Sequence, residues 1–277
     1  MRSRPTPAQL YFANLTHTGV VSIADTFPYG IGSVAAYAKK TFGDDLELEL
    51  FVDPVDLNSS LGRCVPDVLS FSNFNWNKNL SVAFADYVKK QYPHVVTVMG
   101  GPNISLTAAG RRRFLKQNSS IDFYVKWDGE VAFSELYRRL LQHHFDVDAL
   151  RSSHARIPNC MYLSGDDLVE GPDTRIPDLT ILPSPYTTGL MDKFFADRRL
   201  SPLMETVRGC PYACTFCNDA HTVRNKVNRR TPEFIYEELE YIARNLRGSA
   251  DLTLADLNFG MFKEDLETAR IIRSIIE

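Results

Sequence analysis

No stretch of the 277-residue chain stays apolar for the roughly 20 residues that a bilayer-spanning helix needs. The opening Met1-Arg2-Ser3-Arg4-Pro5 leads into polar-interrupted sequence and not into a signal-peptide core. Cysteine is scarce, and three of the five crowd into one stretch, which excludes a disulfide framework and makes a reducing cytoplasm the expected compartment. Charge of one sign is also lacking. A net charge of -3 gives no field for a nucleic-acid or membrane surface, and the run Arg111-Arg112-Arg113 is expected to be a solvated helix face. What is present, 44% apolar and 23% charged residues, suffices for an ordinary globular core with room for two domains.

The crowded cysteines are Cys210, Cys214 and Cys217, spaced C-x-x-x-C-x-x-C after the short apolar run Leu203 to Val207, a candidate strand. Three thiolates on so short a loop can converge on one soft metal centre. A fourth cysteine would close a structural zinc site; three leave a coordination position open, as a reactive iron-sulfur cluster requires. A zinc site completed by His221, or thiols without a metal, remain alternatives at this point.

Residues 1–145 alternate strand-like and helix-like segments. Strands are expected at Gln9 to Leu15, Leu46 to Val52, Val68 to Phe71, Val95 to Met99 and Ile121 to Val125. Helices are expected at Gly30 to Lys40, Ser81 to Gln91, Leu106 to Lys116 and Val131 to His143. This alternation implies an α/β fold with a doubly wound, flavodoxin-like (Rossmann-like) parallel sheet, whose ligands sit beyond the carboxyl ends of the strands. Two such ends carry Ser70-Phe71-Ser72-Asn73 and Gly100-Gly101-Pro102-Asn103. Glycines there would let the backbone approach a bulky ligand, and serine hydroxyls could bond to its polar edge; a tight turn without a ligand is the plainer alternative.

Arg208-Gly209-Cys210-Pro211 through Phe216-Cys217 resembles the C-x-x-x-C-x-aromatic-C signature of radical S-adenosylmethionine enzymes, with the preceding residues typical of their cobalamin-dependent branch. The resemblance implies a 4Fe–4S cluster on Cys210, Cys214 and Cys217, with S-adenosylmethionine chelated to the fourth iron and Phe216 beside its adenine. An electron donor such as flavodoxin or ferredoxin would reduce the cluster. Cleavage of the cofactor would then give a 5′-deoxyadenosyl radical. The two strand-end loops and Asp122 to Glu130, which ends in Trp127-Asp128-Gly129-Glu130, are similar to the cobalamin-binding domain of that branch. Cobalamin is therefore expected along Ser70, Ser72, Gly100, Gly101 and Pro102. The Asp-x-His-x-x-Gly loop that ligates cobalt in methionine-synthase-like domains is absent, and His17 stands at the wrong spacing. The reaction implied is methyl transfer to an unactivated carbon, with cyclisation or oxidative rearrangement, with or without cobalamin, as the second reading. A zinc-stabilised binding module is the non-enzymatic one.

Residues 146–200 are expected as a connection, with Cys160 to Leu163 and Leu179 to Leu182 as small strands between proline-rich turns. From 201 to 277 the pattern is that of the first strand-helix units of a TIM-type barrel. Thr231 caps a helix with Pro232 at its first position, Ala250 to Phe259 is a strand, and Lys263 to Ile276 is a helix with Leu266, Ala269, Ile272 and Ile276 facing inward. Asp256 and Asn258 fall at the end of that strand, where they would either contact S-adenosylmethionine or cap the turn. Two units cannot close a barrel, so the chain is expected to be part of a longer one.

Overall fold

The computed structural model describes residues 7–18, 25–217, 220, 222–247 and 251–277. Contacts divide the chain into two compact units, Met1–Ala24 with Tyr37–Thr174, and Asp25–Ala36 with Arg175–Glu277. The division falls inside helix α1 (Tyr29–Phe42).

The first unit is built on mostly apolar strands, apart from an edge strand that alternates Leu and Glu. These are β1 (Ala8–Ala13), β2 (Leu46–Phe51), β3 (Val68–Ser72), β4 (Val96–Gly100) and β5 (Phe123–Val125). Such strands need covering on each side, and helices supply it. They run parallel in the order β2-β1-β3-β4-β5, the flavodoxin-like order expected from the alternation. One face holds Tyr11, Leu69, Phe71, Met99 and Tyr124 against Leu57 and Leu61 of α2 (Pro54–Arg63), Ala85 and Val88 of α3 (Lys78–Gln91) and Leu115 of α4 (Ala108–Gln117). On the other, Phe12 meets Phe133 of α5 (Gly129–Gln142) edge-on at 5.0 Å, and Tyr137 meets Phe42 at 4.8 Å.

Helix α2 is an addition to the expected elements. Asp53 caps it by accepting from the Val55 amide at 2.8 Å, and Pro54 takes the first position. After the short α6 (Val147–Ser152), β6 (Cys160–Ser164) and β7 (Asp167–Glu170) extend the sheet antiparallel from β5. Gly165, at φ +57°, makes their turn. A salt-bridge network fastens this hairpin: Lys126, 4% exposed, reaches Asp173 at 2.7 Å, and Arg111 reaches Glu170 at 2.6 Å. Burial opposes the charge of Glu170, but Arg111 and Lys126 outweigh it and lower its pKa.

In the second unit, β8 (Leu203–Met204) pairs in parallel with β11 (Thr253–Leu254), with α7 (Pro232–Asn245) between them in sequence and α8 (Asp265–Ile276) after them. This is the start of a strand-helix barrel pattern. Thr231 caps α7 as expected, and Ile235, Leu239 and Ile242 are buried. Three expectations are corrected here. Leu179–Ile181 is a 3-10 turn and not a strand, because the Asp178 carboxylate accepts from the Thr180 amide at 2.9 Å. The strand expected to Phe259 stops at Leu254; residues 257–260 form a turn, and Ala250 lies outside the described residues. Helix α8 is rotated from the expected face. Leu266, Ala269 and Ile276 are exposed, whereas Asp265 and Thr268 are buried.

Candidate active site

The cysteine loop leaves β9 (Val207–Arg208) and returns in β10 (Asn228–Arg229), two short strands paired antiparallel. Its geometry begins at Gly209, at φ +105°. A Cβ there would meet the Lys226 carbonyl oxygen at 2.1 Å and the Arg224 carbonyl oxygen at 3.0 Å, so only glycine lets the two limbs approach this closely. Cys210 is thereby pinned: its amide donates to the Arg224 carbonyl at 2.9 Å. A tight turn follows, with the Cys217 amide donating to the Cys214 carbonyl at 3.0 Å. Cys210 is half-buried, and Cys214 and Cys217 are exposed. Phe216 is 91% exposed, with no packing of its own. Among the described residues, no three Cys, His, Asp or Glu side chains are gathered as a ready set of metal ligands; His221 lies outside them.

Behind the loop, β11 leads into Asp256. One of its oxygens accepts from the amides of Thr206 (2.7 Å) and Val207 (3.0 Å), and the other from the Thr206 hydroxyl. This carboxylate therefore ties the corner between β8 and β9, satisfying donors that the strand pairing leaves open. Asn258, two residues on, has a buried Nδ2 without a hydrogen-bond partner among the described residues. Asp265 accepts from the amides of Gly260 and Phe262, each at 2.9 Å, and from Arg229 at 2.7 Å. Burial opposes its charge, but these donors outweigh it and lower its pKa. These bonds turn α8 so that Asp265 faces inward.

The same unit contains a buried polar cluster that the sequence did not reveal. Glu238, fully buried on α7, accepts from the Ser184 hydroxyl at 2.6 Å and the Tyr29 hydroxyl at 3.2 Å. Burial pushes its pKa up to about 7 against the pull of Ser184, Arg230 and Tyr29.

In the first unit, the carboxyl ends of β3 and β4 lie side by side, with Ser72 opposite Gly100. Asn73 joins the two loops. Its amide donates to the Gly100 carbonyl at 2.6 Å, and its side chain donates to the Asn103 carbonyl at 2.8 Å and the Tyr124 hydroxyl at 3.0 Å. Tyr124 in turn donates to the Gly101 carbonyl at 2.8 Å, and its burial raises its pKa well above the ordinary range. Ser72 donates to Asn14 Oδ1 at 2.5 Å and accepts from Asn77 at 2.8 Å.

The glycines also have a reason within the fold itself. A Cβ on Gly101 would meet the Asn73 carbonyl oxygen at 2.6 Å, and one on Gly100 the Val125 carbonyl oxygen at 3.0 Å. The protein's own backbone requires the first, at φ +130°, and crowds the second. Pro102 is exposed, and Ser70, buried within β3, keeps a hydroxyl without a partner among the described residues.

No family model matches the chain. Over 217 residues, 76% of its length, it is 34% identical to the cobalamin-dependent radical SAM methyltransferase TokK of Streptomyces tokunonensis. It is 31% identical over 255 residues, 88% of its length, to the 2-(S-pantetheinyl)-carbapenam-3-carboxylate methyltransferase of Streptantibioticus cattleyicolor. The chain belongs to the cobalamin-binding-domain radical SAM family. It spans 30% and 36% of the lengths of those two relatives.

Solved radical SAM structures share the fold over nearly the whole chain. The cobalamin-dependent enzyme OxsB, with aqua-cobalamin and S-adenosylmethionine bound, matches 97% of it with a TM-score of 0.69 at 18% identity, over 37% of OxsB. The methyltransferase TsrM from Kitasatospora setae matches 98% with a TM-score of 0.66 at 15% identity, over 51% of TsrM.

The donor set suits the cofactors of this family. Three thiols on one loop, with no fourth cysteine near in sequence, offer soft ligands for an iron-sulfur cluster with one iron left open. Orphaned polar atoms at Ser70 and Asn258 suit a polar ligand in each unit.

Proposed function

We propose that this chain carries the cofactor-binding parts of a cobalamin-dependent radical SAM methyltransferase. The observation that carries the proposal is the Gly209-anchored loop with Cys210, Cys214 and Cys217, in a chain whose curated relatives are methyltransferases. When bound, the 4Fe–4S cluster and cobalamin supply the one-electron cleavage of S-adenosylmethionine and the carriage of a methyl group.

The chain's own residues hold and orient. Cys210, Cys214 and Cys217 would provide the thiolates, with ligand binding drawing the exposed pair toward the pinned Cys210. Phe216, free of the core, is available to lie against an adenine ring. Asn258 has a donor to offer the S-adenosylmethionine side, while Asp256 holds the corner from which the loop departs. Ser70, Ser72, Gly100, Gly101 and Pro102 would border cobalamin, with Asn73 holding their two loops together. Reduction by a flavodoxin or ferredoxin in a reducing cytoplasm completes the proposal. Among the described residues, no helix is long and apolar enough to cross a membrane.

The test is anaerobic reconstitution with iron, sulfide and hydroxocobalamin, followed by desalting and metal analysis. Wild-type protein is expected to retain iron and cobalt, and Cys214→Ala to lose the iron alone. Cobalt washing out of both would remove cobalamin from the reading, and zinc in place of iron would overturn it.

A further inference from the structure

The arginine run at 111–113 does more than face solvent. Arg111 makes two bonds to Glu170, at 2.6 and 2.9 Å, and Arg112 donates to the Asp166 carbonyl at 2.6 Å, so both fasten α4 to the β6–β7 hairpin. Where α4 ends, a cleft of about 490 Å³ opens, lined by Leu115, Lys116, Ile121, Arg151, Leu163 and Ser164. It lies at the amino end of β5, and antiparallel β6 delivers Ser164 to it. Gly100 and Gly101 are at the opposite end of the same sheet.

The charges around this cleft are unevenly committed. Asp122 is already paired with Lys89 at 2.5 Å and accepts from the Thr97 amide at 2.9 Å. Arg151 gives Nη2 to Asp122, but its buried Nε has no partner among the described residues. Among the described residues Lys116 pairs only with Asp166, whose side chain is 81% exposed, and a water-screened pair of this kind leaves the cation available. The cleft's own lining thus holds two cations, Lys116 and Arg151, and one carboxylate, Asp148, over an apolar floor of Leu115, Ile121 and Leu163.

We propose that this cleft binds a small organic anion, its carboxylate or phosphate head toward Arg151 and Lys116 and its apolar body on Leu115, Ile121 and Leu163. The volume is that of an ordinary small-molecule site, and a few placed polar groups above an apolar floor are what such sites use. Charge-assisted hydrogen bonds supply the selection for an anion. The site is independent of the cofactors proposed above.

Calorimetric titration of the chain with benzoate, phenyl phosphate and uncharged phenol tests it. At least one anion should saturate, phenol should not, and the tighter anion identifies the head group. Lys116→Met removes a half-exposed cation without disturbing the core and should weaken anion binding at least fivefold, roughly 1 kcal/mol. Arg151→Met should weaken it further; if that variant unfolds because Asp122 loses a partner, Lys116→Met alone decides. The proposal is overturned if neither anion saturates below about 5 mM, equivalent to roughly 3 kcal/mol of affinity, if phenol binds equally well, or if Lys116→Met binds like wild type.

Discussion

At the carboxyl ends of β3 and β4 the polar side chains are turned on one another, whereas in the cysteine loop the donor atoms are turned outward. Asn73, Asn103, Tyr124 and the two glycines form a closed hydrogen-bonded set in which nearly every group has a partner within the loops themselves. Among the described residues, the cysteine loop is held at its base by Gly209 and the Cys210 amide and farther along by Arg175, which donates to the Val223 carbonyl at 2.8 Å, and it leaves Cys214, Cys217 and Phe216 exposed. A ligand bound at the first place would meet a preformed rim; one bound at the second would supply the contacts that complete the structure. Glycine serves both, since Gly101 and Gly209 each admit a neighbouring carbonyl where a side chain would stand.

The contrast breaks most sharply at those glycines. Gly101→Val would drive a branched side chain into the Asn73 backbone at a φ of +130°, and a loss of about 3 kcal/mol or more is expected in urea unfolding. Gly209→Val meets the same kind of obstruction, but at the base of an otherwise exposed loop. It should abolish iron retention while costing the chain less stability than Gly101→Val. Equal losses from the two variants would remove the distinction between a preformed rim and a ligand-completed loop.

A second effect is electrostatic. The folded pKa of Glu238, about 7, lies above its ordinary 4.5, so the fold favours the protonated form. Stability from this group is fully present below about pH 4.5 and is lost as pH rises through about 7, an effect on the order of 3 kcal/mol. Glu238→Gln, neutral at every pH, should flatten the stability profile across that window. An unchanged slope would mean that the carboxylate is paired or solvated in solution.

Smaller changes sharpen the comparison. Asp256→Ala leaves the amides of Thr206 and Val207 without their acceptor and should cost about 1–3 kcal/mol in thermal or urea unfolding. Ser70→Ala removes a hydroxyl that has no partner among the described residues, so unfolding should shift by under about 1 kcal/mol while cobalamin retention falls. A large loss of stability in the second case would mean that the hydroxyl already has a partner inside the fold.

Much of the sheet was legible because continuous apolar runs such as Val95 to Met99 permit few other readings. Cys210, Cys214 and Cys217 stand out as a candidate set in the sequence because thiols close in sequence write their spacing directly. Helix α2 also had a local signal in Asp53-Pro54, and the β6–β7 turn had one in Gly165-Asp166. What stayed hidden depends on bonds between distant residues. The hub at Asn73 reaches Tyr124, Glu238 reaches Tyr29 and Ser184, and Asp265 rotates α8 through Arg229. A hydrophobic period puts Leu266 inside; the buried carboxylate one position earlier overrides it.

The electron paramagnetic resonance spectrum of the reduced, reconstituted protein, recorded with and without S-adenosylmethionine, is the most direct measurement. A 4Fe–4S cluster on Cys210, Cys214 and Cys217 with one iron open should give a signal that shifts when S-adenosylmethionine is added and is missing from Cys217→Ala. A signal indifferent to S-adenosylmethionine, or a colourless protein holding zinc, would contradict an open cluster on this loop.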